Sequence, residues 1–232
     1  ILKPGESGNV FSLYVDNPVC WDAWDVDVYY PRQEAQHPTS VKARKTVYGE
    51  LRSILEFELR ISNSTIRQTI ILEAGGTRLD FKTSVDWNES HRMLRTAFPV
   101  NIYTDDATFD IQYGYVRRTM TNNTSWDMAQ FEVAGQRYAD ISDNTHGVAL
   151  LNDCKYGHKV KNGVLDLALL RSPTYPDSTA DLGHHEFTYS LLPHKGNLVN
   201  SDVMSQAALQ NRAPRVIDGA AAGAIPPCSL DS

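Results

Sequence analysis

The chain has 232 residues, 41% of them hydrophobic and 22% charged, which is the balance of a soluble globular protein able to bury a substantial core. Its net charge is −6 with Lys and Arg scattered, so no basic patch suited to nucleic acid is visible; the balance fits a neutral ligand such as a sugar. No apolar run approaches the roughly 18–20 residues of a membrane-crossing helix, and no basic–apolar–small-residue leader opens the chain.

Three cysteines, Cys20, Cys154 and Cys228, are odd in number and far apart. They do not form a disulfide framework or a zinc ribbon, and a reducing, cytoplasmic compartment is expected. Asn-X-Ser/Thr sequons at Asn63, Asn88, Asn122 and Asn123 matter only in a chain secreted by a eukaryote. The first residues, Ile1-Leu-Lys-Pro-Gly-Glu6, read like the middle of something. The tail from Ala220 to Ser232 stops where another strand could start, so a fragment of a longer chain is expected.

Asn9 to Val15 alternates apolar and polar residues as a half-buried strand does, and Asp16-Asn-Pro18 is a turn signal. Trp21-Asp-Ala-Trp-Asp-Val-Asp-Val-Tyr-Tyr30 packs two tryptophans, three aspartates and two tyrosines into ten residues. A flat ring covers the apolar face of a pyranose and a carboxylate accepts from its hydroxyls. The same residues also fit a strand with a buried tryptophan and a wet aspartate edge. Pro31 to Ser40 reads as loop, and Val41 to Val100 as a β-meander. Lys45 to Ile61 alternates over most of its length, Asn63-Ser64 turns the chain back, and Ala74-Gly-Gly76 connects a hairpin. In Thr77 to Trp87, Leu79, Phe81, Thr83, Val85 and Trp87 share one face. Long strands with one wet face predict a large antiparallel sheet, not a small barrel. Further strands are expected over Leu94 to Asn101, Ala107 to Tyr113, Phe131 to Ile141, Val148 to Leu151 and Gly163 to Leu170. The polar stretch Thr121 to Asp127 reads as loop. Asp202 to Asn211 is the one clear helical segment, with Ser201 as N-cap.

Between two long apolar runs lies Arg171-Ser-Pro-Thr-Tyr-Pro-Asp177. Pro173 and Pro176 fix their φ angles and stiffen a loop carrying Arg171, Tyr175 and Asp177, a geometry suited to ligand contact or to a structural ion pair. The seven histidines form no HxH or HxxxH pair, and His184 and His185 point to opposite faces of a strand, so no zinc site is expected within the chain. Glycoside hydrolysis needs two carboxyls about 5–5.5 Å or about 6.5–9.5 Å apart. Asp22, Asp25, Asp127, Asp153 and Asp177 are candidates whose convergence sequence does not decide.

Several motifs, in order, resemble the C-terminal β region of glycoside hydrolase family 38 α-mannosidases of bacterial and cytosolic or vacuolar type. They are Gly8-Asn-Val-Phe11, Trp21 to Asp27, Asn123-Thr-Ser-Trp-Asp127, Phe131-Glu-Val-Ala134, Gly147 to Gly157, Leu169 to Asp177 and Asp181 to Tyr189. The resemblance implies an all-β chain: one antiparallel supersandwich over residues 1–232, akin to the galactose-mutarotase-like domain. It implies a zinc-dependent retaining exo-α-mannosidase acting on α-mannoside oligosaccharides. The zinc ligands and the aspartate nucleophile would sit in an N-terminal α/β barrel outside this sequence, so the chain alone would be inactive. Its partners would be the oligosaccharide and that barrel, with assembly into several copies left open. By motif position Arg171 is similar to the family's substrate-side arginine. Tyr175 and Asp177 would lie beside it, with Asp22, Asp25 and Trp24 as further rim contacts. Two other readings stand beside this one: a free-standing carbohydrate-binding sandwich using Trp21, Trp24 and Trp126, and a purely structural buttress.

Overall fold

The computed structural model describes residues 1–212 and 214. Cys228 and the expectation about the tail lie outside them. The fold is an antiparallel two-sheet sandwich, as expected. One sheet has five strands in the order β1-β6-β13-β12-β9. The other has nine, in the order β2-β3-β4-β5-β14-β11-β10-β7-β8. In chain order the strands are β1 (Val10–Val15), β2 (Ser40–Tyr48), β3 (Arg52–Ile61), β4 (Ser64–Glu73), β5 (Leu79–Trp87), β6 (Arg92–Pro99) and β7 (Asp106–Ile111). They continue with β8 (Gly114–Thr119), β9 (Val133–Ala134), β10 (Tyr138–Ser142), β11 (His146–Asn152), β12 (Gly157–Lys161), β13 (Val164–Arg171) and β14 (Gly183–Lys195). Two short helices, α1 (Ser125–Ala129) and α2 (Val203–Asn211), complete the elements used below.

Alternation sets the layers. In β5, Phe81, Val85 and Trp87 are buried between the sheets, opposite Leu94 and Phe98 of β6 and Leu165 and Leu167 of β13. Burying a side chain of this size stabilises by about 1.5–3 kcal/mol. In β11 the two faces serve different cores: Val148 and Leu150 point into the sandwich, while Ala149 and Leu151 meet Val203 and Ala207 of α2. Asp202, not Ser201, is the N-cap of α2, although Ser201 Oγ accepts from the Val203 N–H at 3.3 Å.

Four expectations need correction. The run Lys45 to Ile61 is not one strand; Gly49-Glu-Leu51 breaks it into the β2–β3 hairpin. Trp21 to Tyr30 is a looped segment of turns ending in one 3-10 turn, Tyr30–Arg32. Phe131 to Ile141 splits into β9 and β10. The polar stretch Thr121 to Asp127 contains the start of α1, held by a capping box in which the Thr124 side chain accepts from Asp127 N–H and Asp127 accepts from Thr124 N–H.

Candidate functional site

One end of the sandwich gathers the C-terminal ends of β1, β5 and β13 with the start of β6. Backbone bonds fix this end: Asp16 N–H donates to His91 O at 2.8 Å, His91 N–H to Ser172 O at 2.9 Å, and Ser172 N–H to Arg92 O at 3.0 Å. Trp87 Nε1 donates to Ser172 Oγ at 3.0 Å from beneath. Two loops rise from this base, one over residues 16–30 and the other over 171–182.

Arg171 ties the loops together. Its Nε donates to Asp16 Oδ2 at 2.5 Å, and its Nη2 donates to the carbonyls of Asp22 at 3.0 Å and Asp25 at 2.7 Å. Asp16 is buried, and its other oxygen, Oδ1, has no partner among the described residues. Asp22 makes the reciprocal tie. Oδ2 accepts from Thr174 N–H at 2.7 Å and from Thr174 Oγ1 at 3.3 Å, and Oδ1 accepts from Tyr175 N–H at 3.1 Å. Those backbone donors, Thr174 first, hold the Asp22 carboxyl below its ordinary pKa. His91 closes the lattice through a 3.2 Å bond between Nε2 and Thr174 Oγ1.

Three aromatic rings stand on this lattice. Trp21 and Tyr175 have ring centroids 5.5 Å apart, and Trp24 lies 6.4 Å from each. Such tilted and edge-on spacings suit the ring quadrupoles. The rings nonetheless face solvent, with Trp21 58%, Trp24 68% and Tyr175 53% exposed. Trp21 sits at φ 57°, a left-handed conformation costing on the order of 1–3 kcal/mol, and its carbonyl is held by the N–H groups of Trp24 and Asp25.

Of the residues singled out from sequence, Arg171, Asp22, Trp24 and Tyr175 come together here. Asp25 joins through its backbone carbonyl, while its carboxylate accepts from Val26 N–H. Asp177 caps its own turn, accepting from Thr179 N–H and Oγ1, and these bonds, the backbone one first, lower its pKa. Trp126 is exposed on α1, outside the cluster. Sequence reasoning missed Asp16, whose Asp-Asn-Pro setting signals only a turn, and missed Thr174 and His91 as lattice members. It read Trp21 as a binder without placing it against Tyr175.

The arrangement offers stacking and hydrogen bonding. Asp22, Asp25, Asp127, Asp153 and Asp177 are each engaged with backbone N–H groups. Among the described residues no three His, Cys, Asp or Glu side chains converge to hold a metal ion, so these residues do not fit a zinc ion.

A family model for the "Glycosyl hydrolases family 38 C-terminal domain" matches residues 1–179. The chain is 44% identical over 210 residues to "Alpha-mannosidase 2C1" of Homo sapiens, covering 89% of this chain and 20% of that protein. It is 40% identical over 214 residues to "Alpha-mannosidase G" of Dictyostelium discoideum (89% and 19% covered) and 36% identical over 203 residues to "Alpha-mannosidase" of Saccharomyces cerevisiae (84% and 19%). It therefore spans about a fifth of the length of the curated relatives it matches. Among solved structures, an alpha-mannosidase from Enterococcus faecalis V583 shares the fold with a TM-score of 0.72 at 15% identity, covering 88% of this chain and 28% of that one. With sandwich, loop motifs and relatives in agreement, the chain belongs to glycosyl hydrolase family 38, of which it carries the C-terminal domain.

Proposed function

We propose that this chain is the C-terminal part of a retaining α-mannosidase that removes terminal α-D-mannose from oligosaccharides, and that its aromatic loops form one wall of the sugar site. The observation that carries the reading is the 44% identity over 89% of the chain to an alpha-mannosidase. The exposed Trp21–Trp24–Tyr175 cluster supports the second half. Trp24 and Tyr175 stack on sugar faces, and Asp25 and Asp177, both exposed, accept from sugar hydroxyls. Arg171 and Asp22 hold the wall and face the sugar from its base. In this reading the nucleophile, the acid and a zinc ion belong to a preceding catalytic barrel. A cytoplasmic location is supported by Cys20 and Cys154, both exposed and without a disulfide partner among the described residues. No helix among the described residues is long and apolar enough to cross a membrane.

The test is hydrolysis of an aryl α-D-mannoside by the full-length protein, followed by NMR. Mannose should appear first as the α-anomer, and the isolated chain should be inert. Turnover by the isolated chain, or none by the full-length protein, overturns the reading. Glycan binding by the chain alone, lost in Trp24→Ala, would favour a binding module instead.

A further inference from the structure

The two sheets are unequal, and the excess strands have an apolar face that nothing covers among the described residues. The nine-stranded sheet runs β2-β3-β4-β5 at one side, whereas the five-stranded sheet stops at β1. β2 is exposed along nearly its whole length. Cross-strand register fixes which side chains overhang. Val41 pairs with Leu59, a core residue, and Leu55 pairs with Ile70, which packs against the core. Their shared face is thus the core-side face, continued past the edge of the small sheet. On it Val41 is 67% exposed, Leu55 38% and Leu72 39%, with Tyr48 (86%) and Leu51 (78%) at the hairpin end. A trough of about 450 Å³ between Ser7–Phe11, Pro38 and the strand residues Val41, Phe57 and Ile70 marks where the covered core gives way to this shelf.

We propose that the shelf is a docking surface for another segment of the same, longer polypeptide, one that lays an apolar face across β2, β3 and β4 and completes the second layer. This rests on the reading of the chain as one part of a longer α-mannosidase. Three observations favour that occupant. The shelf is continuous with the core, so its covering extends the same packing. Its Leu72–Leu79 end lies at the opposite end of β5 from Trp87 and the aromatic loops, so a barrel seated on those loops leaves it bare. Relatives five times as long contain the polypeptide that such a layer needs. The free edge of β1 is not the attachment point, since Leu13 already pairs with Gln36 and the carbonyl of Phe11 with His37.

Hydroxyl-radical footprinting of the unmodified full-length protein, read by mass spectrometry, tests this. Tyr48 should oxidise at least about tenfold more slowly than Tyr113, which stands free on the β7–β8 turn, at every protein concentration. Equal rates for Tyr48 and Tyr113 overturn the proposal. Protection that disappears on dilution overturns it in favour of a second copy. The footprint is independent of turnover: a full-length protein inert on α-mannosides but protected at Tyr48 would sink the activity and keep the docking surface.

Discussion

Trp24 and Tyr175 expose their rings yet are positioned by bonds made elsewhere in the loops, so their removal should cost recognition without costing the fold. Trp24→Ala or Tyr175→Ala in the full-length enzyme should lower kcat/KM on an oligomannoside by about 2- to 13-fold, the kinetic equivalent of about 0.5–1.5 kcal/mol for one aromatic contact, with the thermal midpoint unchanged. Arg171 behaves differently because it spans a carboxylate and two carbonyls. Arg171→Met should cost about 1.5–3 kcal/mol in denaturant unfolding. Arg171→Lys should recover little of that, since one ammonium does not reproduce the guanidinium fork. An unchanged stability in Arg171→Met would remove its role as a tie. His158 is buried with both ring nitrogens unpartnered among the described residues; burial, with the charge of Arg95, pushes its pKa down to about 3. The unfolded chain takes up a proton near pH 6.5 that the folded chain refuses, so this residue's contribution is intact above about 6.5 and lost as pH falls. By pH 5 the loss should reach about 2 kcal/mol. His158→Leu should flatten that part of the pH–stability curve; an identical acid slope in parent and variant would contradict it. The site was half legible at this scale. Trp, Asp, Tyr and Arg in two stiff loops advertise a polar–aromatic surface, but which aspartate oxygen meets which N–H depends on two loops about 150 residues apart, and no local pattern encodes that.

Elements were legible where periodicity was unbroken. β5 alternates from Leu79 to Trp87 and was placed to within two residues, with the expected face buried. β2 and β3 blurred into one because the residues around Gly49 keep the alternation through the turn. β12 escaped notice although Asn162-Gly163, at φ 53° and 73°, is the positive-φ pair that a tight hairpin requires. A five-residue helix such as α1 has too little length for a period, and only the Thr124–Asp127 spacing signals it. β11 and β14 carry a test of their own. Gly147 lies directly opposite His194, and a Cβ there would run into the His194 ring and Ser142. Gly147→Ala should therefore destabilise by about 1–3 kcal/mol and break the 2.8 Å bond from His194 Nε2 to buried Asp140. The same change in a background carrying both Ser142→Gly and His194→Ala should cost much less, as a double-mutant cycle would show. Equal costs in both backgrounds would mean that the clash is absorbed elsewhere.

For the whole molecule, the sequence announced a large antiparallel sheet, and the nine-stranded sheet answers to it. The full pairing order was not announced, because beside the sequential hairpins β5 pairs with β14, β1 with β6 and β6 with β13, and no local pattern encodes such distant partners. The most separated pairing has consequences during synthesis. β5 is flanked by β4 and by β14, and Asp86 pairs with His184, which lies 98 residues later. At roughly 5–20 residues per second, about 5–20 s separate their emergence from the ribosome. In that interval the β2–β5 meander has its greasy side uncovered and a raw edge along Leu79 to Trp87. Nascent chains arrested before Gly183 should be captured by chaperones and cut readily by protease, while chains released past Lys195 should escape both. Slow, non-local closure of this kind should make production sensitive to temperature and translation speed.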